Sequence, residues 1–441
     1  MKKIYIKTWG CQMNEYDSSL ISNILKKKLN YKRTNVSEQA DILILNTCSI
    51  REKAQEKLFH QLGRWKTLKK NKKDLIIAVG GCVATQEKKK IYKRAPLVNI
   101  IFGPKTIHRL PKMIEELELK KKKICNVNAK KIKKYSYYKN NITQKISAYI
   151  SIMEGCNKFC SYCIVPRTRG REINRTPQDI LLEANFLAKN GTKEITLLGQ
   201  NVNSYISKFS NGSICNFSQL IELISNIQDI KRIKFLTSNP MEFTDDLIKI
   251  YKNIPKLSNS LHLPVQSGSN KILKKMRRKY TISEYKEIIK KIRKYRPNIY
   301  ITSDFIVGFP GETHEDFKKT LKLIKDIKFD MSFSFIYSPR PGTPAYRLHD
   351  EINLQEKKER LYLLQKKINK NTKFFSQKMI GTYQKVLVEK QIYVNKIKKL
   401  CGKTTNNRLV IFEGSKKLIG KCSYIKILQA NMQTLQGKYV K

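Results

Sequence analysis

"DILILNTC", Asp41 to Cys48, is an apolar run of strand length closed by a cysteine. Ile42, Leu43, Ile44 and Leu45 leave no polar face, the pattern of a strand covered on both sides. The unit recurs on either side. "KKIYIKTWGC" (2–11) and "DLIIAVGGC" (74–82) each read as a strand ending in cysteine, and "VNIIFG" (98–103) as a further strand. Between them, "SSLISNILKKKL", "REKAQEKLFHQLGRW" and "TQEKKKIYKRA" have helical spacing. Buried strands alternating with helices predict a doubly wound parallel sheet over residues 1–118.

Residues 119–145 turn Lys- and Asn-rich and read as a linker. A second alternating block spans 146–375. Its strand candidates are "SAYISIM", "KEITLLGQ", "IKFLTS", "SLHLPV", "IYITSDFIVGF" and "MSFSFIYS", with helical stretches between them. Six strand–helix units predict a partial, open (β/α)6 barrel. A long charged helix from Leu354 leads out of it. The tail, 378–441, holds short strands without helices ("QKVLVEK", "RLVIFEG", "KLIGKCSYIKILQAN") and predicts a small β-barrel. The fold class is thus α/β, with an all-β end.

The chain has 441 residues and 10 cysteines, and its formal net charge is +54. It contains no apolar run long enough for a membrane span, and its start is too interrupted for a signal peptide. We expect a cytoplasmic protein with reduced cysteines, available as metal ligands. The charge points to a polyanionic partner. Lys far outnumbers Arg, however, and Ile, Asn and Tyr are abundant, a mixture that AT-rich coding produces without selection for RNA binding. More specific is "PRTRGREINR", which packs Arg167, Arg169, Arg171 and Arg175 into a chain that otherwise uses Lys. Their planar forks suit phosphates and carboxylates.

Cys11, Cys48 and Cys82 each close a strand, and parallel strands share one carboxyl edge where ligands bind. Gly10 and the Gly80–Gly81 pair suggest turns with close backbone approach. A second set, Cys156, Cys160 and Cys163 in "EGCNKFCSYC", has C-x3-C-x2-C spacing after the first barrel strand. Zinc would need a fourth Cys or His nearby, and none is there. Three thiolates on a cubane cluster leave one iron open to a substrate.

"GCNKFCSYC" resembles the signature of radical S-adenosylmethionine enzymes. The order of parts resembles the methylthiotransferase subgroup, with an N-terminal three-cysteine domain, a radical barrel and a C-terminal TRAM domain. "GCQMNEYDS", "NTCSIREKAQEKLFHQLGRW" and "YCIVPRTRGRE" resemble the bacterial members that act on isopentenylated adenosine in tRNA. Trp9 stands where a Tyr is expected. The resemblance implies two [4Fe–4S] clusters, each with an open iron. Cys156, Cys160 and Cys163 would hold the one that binds and cleaves S-adenosylmethionine to a 5′-deoxyadenosyl radical. Cys11, Cys48 and Cys82 would hold the one carrying the sulfur to be methylated and delivered. Tyr162 would pack near the adenine.

Gly199, Gln200 and Asn201, then Gln266 with Ser267, then Asp304 and Gly308 end further barrel strands and are candidates for cofactor contact. Each stretch could equally be turn chemistry. His262 reads as a packed or hydrogen-bonded strand residue, and Cys125, Cys215, Cys401 and Cys422 as incidental. Arg167, Arg169, Arg171, Arg175 and, in the tail, Arg408 are expected to contact RNA. The expected partners are tRNA with isopentenylated adenosine 37 and an electron-donor protein, and the expected state is a monomer. Competing readings are methylthiolation of threonylcarbamoyl adenosine in tRNA, methylthiolation of a ribosomal-protein aspartate, or a non-enzymatic iron–sulfur electron carrier or RNA-binding protein.

Overall fold

The computed structural model describes residues 1–48, 52–129 and 145–440, residues 52–55 by backbone alone. The chain forms two units. One comprises Met1–Asn141 with Glu154–Asn157 and Ile164–Ile173. The other comprises Ile142–Met153, Lys158–Cys163 and Asn174–Lys441.

The first unit is built on β1 (Lys3–Trp9), α1 (Gln12–Leu29), β2 (Lys32–Thr34), β3 (Ile42–Thr47), α2 (Glu52–Asn71), β4 (Ile76–Gly81), α3 (Cys82–Glu87), α4 (Lys90–Arg94), β5 (Ile100–Phe102), α5 (Leu110–Lys120) and β6 (Ile124–Asn126). The strands form one parallel sheet in the order β2-β1-β3-β4-β5-β6. The all-aliphatic β3 explains the layers. Ile42 and Ile44 face the core shared with α1 and α5, and Leu43 and Leu45 face the core that holds Leu58, Leu62 and Trp65 of α2. Because side chains alternate across a strand, each layer takes every second residue. The strand order reverses between β1 and β3, so the chain ends of those two strands open the crevice of such a sheet.

The linker expected over 119–145 needs correction at its start. α5 runs to Lys120, and Ile124–Asn126 is the sheet's sixth strand, with the Ile124 carbonyl accepting from Tyr92 Oη at 2.7 Å. A short strand between charged residues carries too little periodicity to stand out in sequence. The rest of that stretch lies mostly outside the described residues.

The second part runs through β7 (Ser147–Ser151), β8 (Met153–Glu154), α6 (Val165–Thr168), β9 (Ile173–Asn174), α7 (Pro177–Lys189), β10 (Glu194–Leu198), β11 (Ile206–Lys208), β12 (Ile214–Asn216), α8 (Phe217–Ser225), β13 (Arg232–Phe235), α9 (Asp245–Asn253), β14 (Ser260–His262), α10 (Asn270–Lys275), α11 (Ile282–Tyr295), β15 (Tyr300–Thr302), β16 (Asp304–Val307), α12 (His314–Ile327), β17 (Phe333–Ile336) and α13 (Leu354–Gln377). The pairs β7–β10–β13, β14–β15 and β16–β17 are all parallel, and bridges at Ile233–Leu257 and Gln266–Phe305 link them into an open partial barrel. Its inward aliphatics and the apolar faces of α7, α8, α9, α11 and α12 form one core.

In the second unit, β18 (Tyr383–Val394), β19 (Ile397–Thr404), β20 (Leu409–Glu413), β21 (Cys422–Ala430) and β22 (Thr434–Tyr439) close a barrel in the order β18-β19-β20-β22-β21 around Val386, Val388, Val410, Phe412, Ile425 and Leu435. Buried arginines fasten it to the open barrel. Arg408 Nη2 donates to Asp330 at 2.8 Å. Arg232, paired with Glu194, donates from Nη1 to the carbonyls of Lys403 and Thr404 at 2.9 and 2.7 Å.

Candidate iron–sulfur site

Cys11 caps α1 from an extended backbone, Cys48 follows β3, and Cys82 opens α3, so three neighbouring parallel strands deliver one cysteine each at the same edge. Two glycines make this possible. A Cβ on Gly10 would lie 2.5 Å from the Cys48 Cβ, and one on Gly81, whose φ is +93°, would lie 2.2 Å from the Thr47 carbonyl oxygen. Neighbouring polar residues then hold the cysteines. Asn14 Oδ1 accepts from the Cys11 N–H and thiol, both at 3.4 Å, and Asn14 Nδ2 donates to Asn46 Oδ1 at 3.2 Å. Asn46 Nδ2 donates in turn to the Asn14 carbonyl and to Ser18 Oγ, both at 2.9 Å.

Cys48 is the strongest electrostatic neighbour of both other thiols. That interaction, against the opposing effect of burial and with help from the Arg169 charge, lowers the Cys11 and Cys82 thiols. The same interactions raise Cys48 well above the usual thiol range. The α1 N-terminus adds a partial positive charge at Cys11. Arg169 is almost fully buried and forked, with Nη2 to Asp17 at 2.9 Å and Nη1 to Glu154 at 2.8 Å.

Among the described residues no three Cys, His, Asp or Glu side chains are gathered as one mononuclear ion would require. A cubane takes each thiolate on a different iron, and three cysteines brought by neighbouring strands to one glycine-lined edge suit it.

The second triad lies on the loop between β8 and α6. The Cys156 N–H donates to the Gly170 carbonyl at 3.1 Å, and the Cys163 N–H to the Cys160 carbonyl at 3.0 Å. Arg278, which sequence reasoning missed, is buried with Nη1 3.6 Å from Cys160 Sγ. Its other nitrogens bond the Pro264 carbonyl and Tyr280 Oη, both at 3.0 Å. Its signal was an Arg pair, "MRRKY", in a Lys-rich chain. Tyr162 packs against the apolar cluster around Phe309 and Tyr337.

The remaining candidates end barrel strands but differ in freedom. Asn201 is buried with neither end of its amide hydrogen-bonded within the described chain, and nearby on the next strand end Ser238 Oγ is orphaned likewise. Such atoms call for a polar ligand. Gly199 admits no side chain, since a Cβ would lie 2.3 Å from Met153 Cγ, and its carbonyl accepts from Thr237 Oγ1 at 2.6 Å. Gln200 is half-buried beside it. Gln266 sits at φ +74°, strained for a side-chain-bearing residue, while its backbone bridges to Asp304 and Ile306. Ser267 is fully buried, with Oγ accepting from the Ser269 N–H at 3.2 Å. Asp304 Oδ2 lies 3.5 Å from His262 Nε2, and His262 Nδ1 bonds Thr302 at 2.9 Å, the hydrogen-bonded strand role expected for it. The Gly308 N–H is taken by Glu312 Oε2 at 2.7 Å.

The RNA-contact expectation divides. Arg167 and Arg171 are exposed. Arg169, Arg175 and Arg408 are buried and paired with Asp17 and Glu154, with Glu183 at 2.6 Å, and with Asp330. For these three the expectation is corrected: a carboxylate inside the protein occupies the fork that was assigned to phosphate. Cys125 lies on β6, Cys215 and Cys401 are buried, and Cys422 is exposed.

The Radical SAM superfamily model matches residues 150–324, the TRAM domain model 377–440, and the model described as "Uncharacterized protein family UPF0004" 3–103. A radical S-adenosylmethionine methyltransferase, TsrM, from Kitasatospora setae, solved with cobalamin and a [4Fe–4S] cluster, has the same fold. Its TM-score is 0.54 at 13% identity, over 78% of this chain and 77% of that one. The protein is therefore a radical S-adenosylmethionine enzyme, with [4Fe–4S] chemistry and a TRAM domain attached. Its sequence is 59% identical over 439 residues to a tRNA-2-methylthio-N(6)-dimethylallyladenosine synthase of Buchnera aphidicola, covering 100% of this chain and 98% of the relative. The same-named protein of Photorhabdus laumondii is 53% identical over 441 residues, covering 100% and 92%. The chain belongs to the family of tRNA-2-methylthio-N(6)-dimethylallyladenosine synthases.

Proposed function

We propose that this chain adds a methylthio group at C2 of N6-isopentenyladenosine at position 37 of tRNA. The supporting observation is the convergence of Cys11, Cys48 and Cys82 on one sheet edge, in a chain 59% identical along its length to a synthase of that nucleoside. Cys11, Cys48 and Cys82 would hold one [4Fe–4S] cluster, and Cys156, Cys160 and Cys163 the other. When bound, the clusters and S-adenosylmethionine supply the radical, the sulfur and the methyl group for a C–H bond that no side-chain base can deprotonate near neutral pH.

The chain's own residues bind and position. Asn201 offers an unsatisfied buried amide to the polar end of S-adenosylmethionine, with Gly199 and Gln200 beside it. Gln266 and Asp304 stand at further strand ends, and Tyr162 presents a packed ring to the adenine. Gly308 shapes the turn after β16, its N–H held by Glu312. Arg278 holds the Cys160 loop against the barrel. Arg167 and Arg171, with the lysine-rich surface of residues 378–441, contact the tRNA backbone. We divide the chain into an N-terminal domain that runs through β6, then 146–375 and 378–441, acting as a cytoplasmic monomer with a separate electron-donor protein. Among the described residues no helix is long and apolar enough to cross a membrane.

The test is nucleoside mass spectrometry of tRNA from a deletion strain with and without this gene. Appearance of 2-methylthio-N6-isopentenyladenosine is expected. A methylthio product on threonylcarbamoyl adenosine, or on a ribosomal protein with tRNA unchanged, would replace this reading. Under reducing, anaerobic conditions Cys160→Ala should no longer yield 5′-deoxyadenosine.

A further inference from the structure

We infer that Arg169 is the positioning residue of the Cys11–Cys48–Cys82 site: its guanidinium ties α1 to the strand leading into the second cysteine loop and holds a positive charge against the sulfur ligands. This rests on the reading that those three cysteines hold a cluster.

The geometry comes from one unit of the chain. Asp17, on α1 two turns after Cys11, accepts from Nη2 at 2.9 Å, and Glu154, two residues before Cys156, accepts from Nη1 at 2.8 Å. All three side chains are almost fully removed from solvent, at 3%, 1% and 0% exposure. Arg169 follows α6, and α6 packs against α3, the helix that Cys82 opens.

Each feature has a physical purpose. Three sulfurs that bind iron do so as thiolates, which concentrates negative charge where water is largely excluded. A buried cation offsets that charge, and two buried carboxylates keep the cation in place. Lysine would carry the charge but cannot span two carboxylates from one planar fork.

The test uses the full chain in a Cys156→Ala, Cys160→Ala, Cys163→Ala background, so that iron reports on the first site alone. That parent should bind about four irons per chain after anaerobic reconstitution. Arg169→Gln should lose most of that iron. Arg169→Gln combined with Asp17→Asn leaves the net charge of the site unchanged and spares folding. Its remaining cluster should titrate at a lower reduction potential than the parent's, because the nearest positive charge has gone. Arg169→Lys should bring the potential back toward the parent while releasing iron to a chelator several-fold faster. The potential separates this role from a structural one, since a purely structural loss would not be restored by charge. Should the single Gln variant not fold, the double variant and the Lys variant decide. Full iron and an unchanged potential in the double variant, or iron held by the Lys variant as tightly as by the parent, would overturn the inference. A parent that binds no iron would overturn the cluster reading, and this inference with it.

Discussion

Arginine, in a chain that otherwise uses lysine, marks two different tasks. In "PRTRGREINR" the side chains alternate between them: Arg167 and Arg171 are exposed, while Arg169 and Arg175 are buried on carboxylates. Sequence could pick out the cluster but not divide it, because the deciding carboxylates, Asp17 among them, are remote in sequence. The division gives opposite expectations. Arg167→Ala with Arg171→Ala should weaken tRNA binding and reduce its salt dependence by one to two phosphate contacts. Cleavage of S-adenosylmethionine in the absence of tRNA should be unchanged. Arg175→Ala instead removes the cation paired with the buried Glu183, at a cost of about 3–5 kcal/mol in denaturant unfolding. Gly81 makes a third case. Alanine there combines a φ of +93° with a clash on the Thr47 carbonyl. Gly81→Ala should cost about 2 kcal/mol or more and reduce reconstituted iron, readable by melting and iron assay.

Among the elements, the contact of the small β-barrel with the open barrel is electrostatic as well as apolar. Burial alone would raise the Glu194 carboxyl, but Lys234 and Arg232 outweigh it and hold it at about 2. Its ordinary value is about 4.3, so its stabilisation is complete above that pH and is lost as pH falls toward 2. Lys234, lowered by burial to about 8, titrates well above this window and leaves the sign unchanged. Glu194→Gln should therefore lose about 3 kcal/mol relative to the parent at pH 7, and urea unfolding should show the gap closing between about pH 4.5 and 2. Arg408 acts at the same junction, which is why a residue in a tail motif proved structural. β6 carries a similar lesson: three residues pair only because β5 already offers an edge.

Across the whole molecule, the +54 charge bears on encounter with a polyanion rather than on fold. Affinity for tRNA should fall roughly tenfold or more between 50 and 200 mM salt, measured by filter binding. The alternation of buried strands and helices and the all-β tail were legible in the sequence, because hydrophobic period is a local pattern. So was the parallel edge that gathers Cys11, Cys48 and Cys82, since an open parallel sheet allows no other placement of strand ends. Tertiary structure alone decided what surrounds the sulfurs. Arg169 meets Asp17 across 152 residues and Arg278 meets Cys160 across 118, and no sequence period links such partners. Their pairing follows from burial: once folding removes a charge from water, it must find an opposite charge or a polar acceptor wherever the fold has placed one.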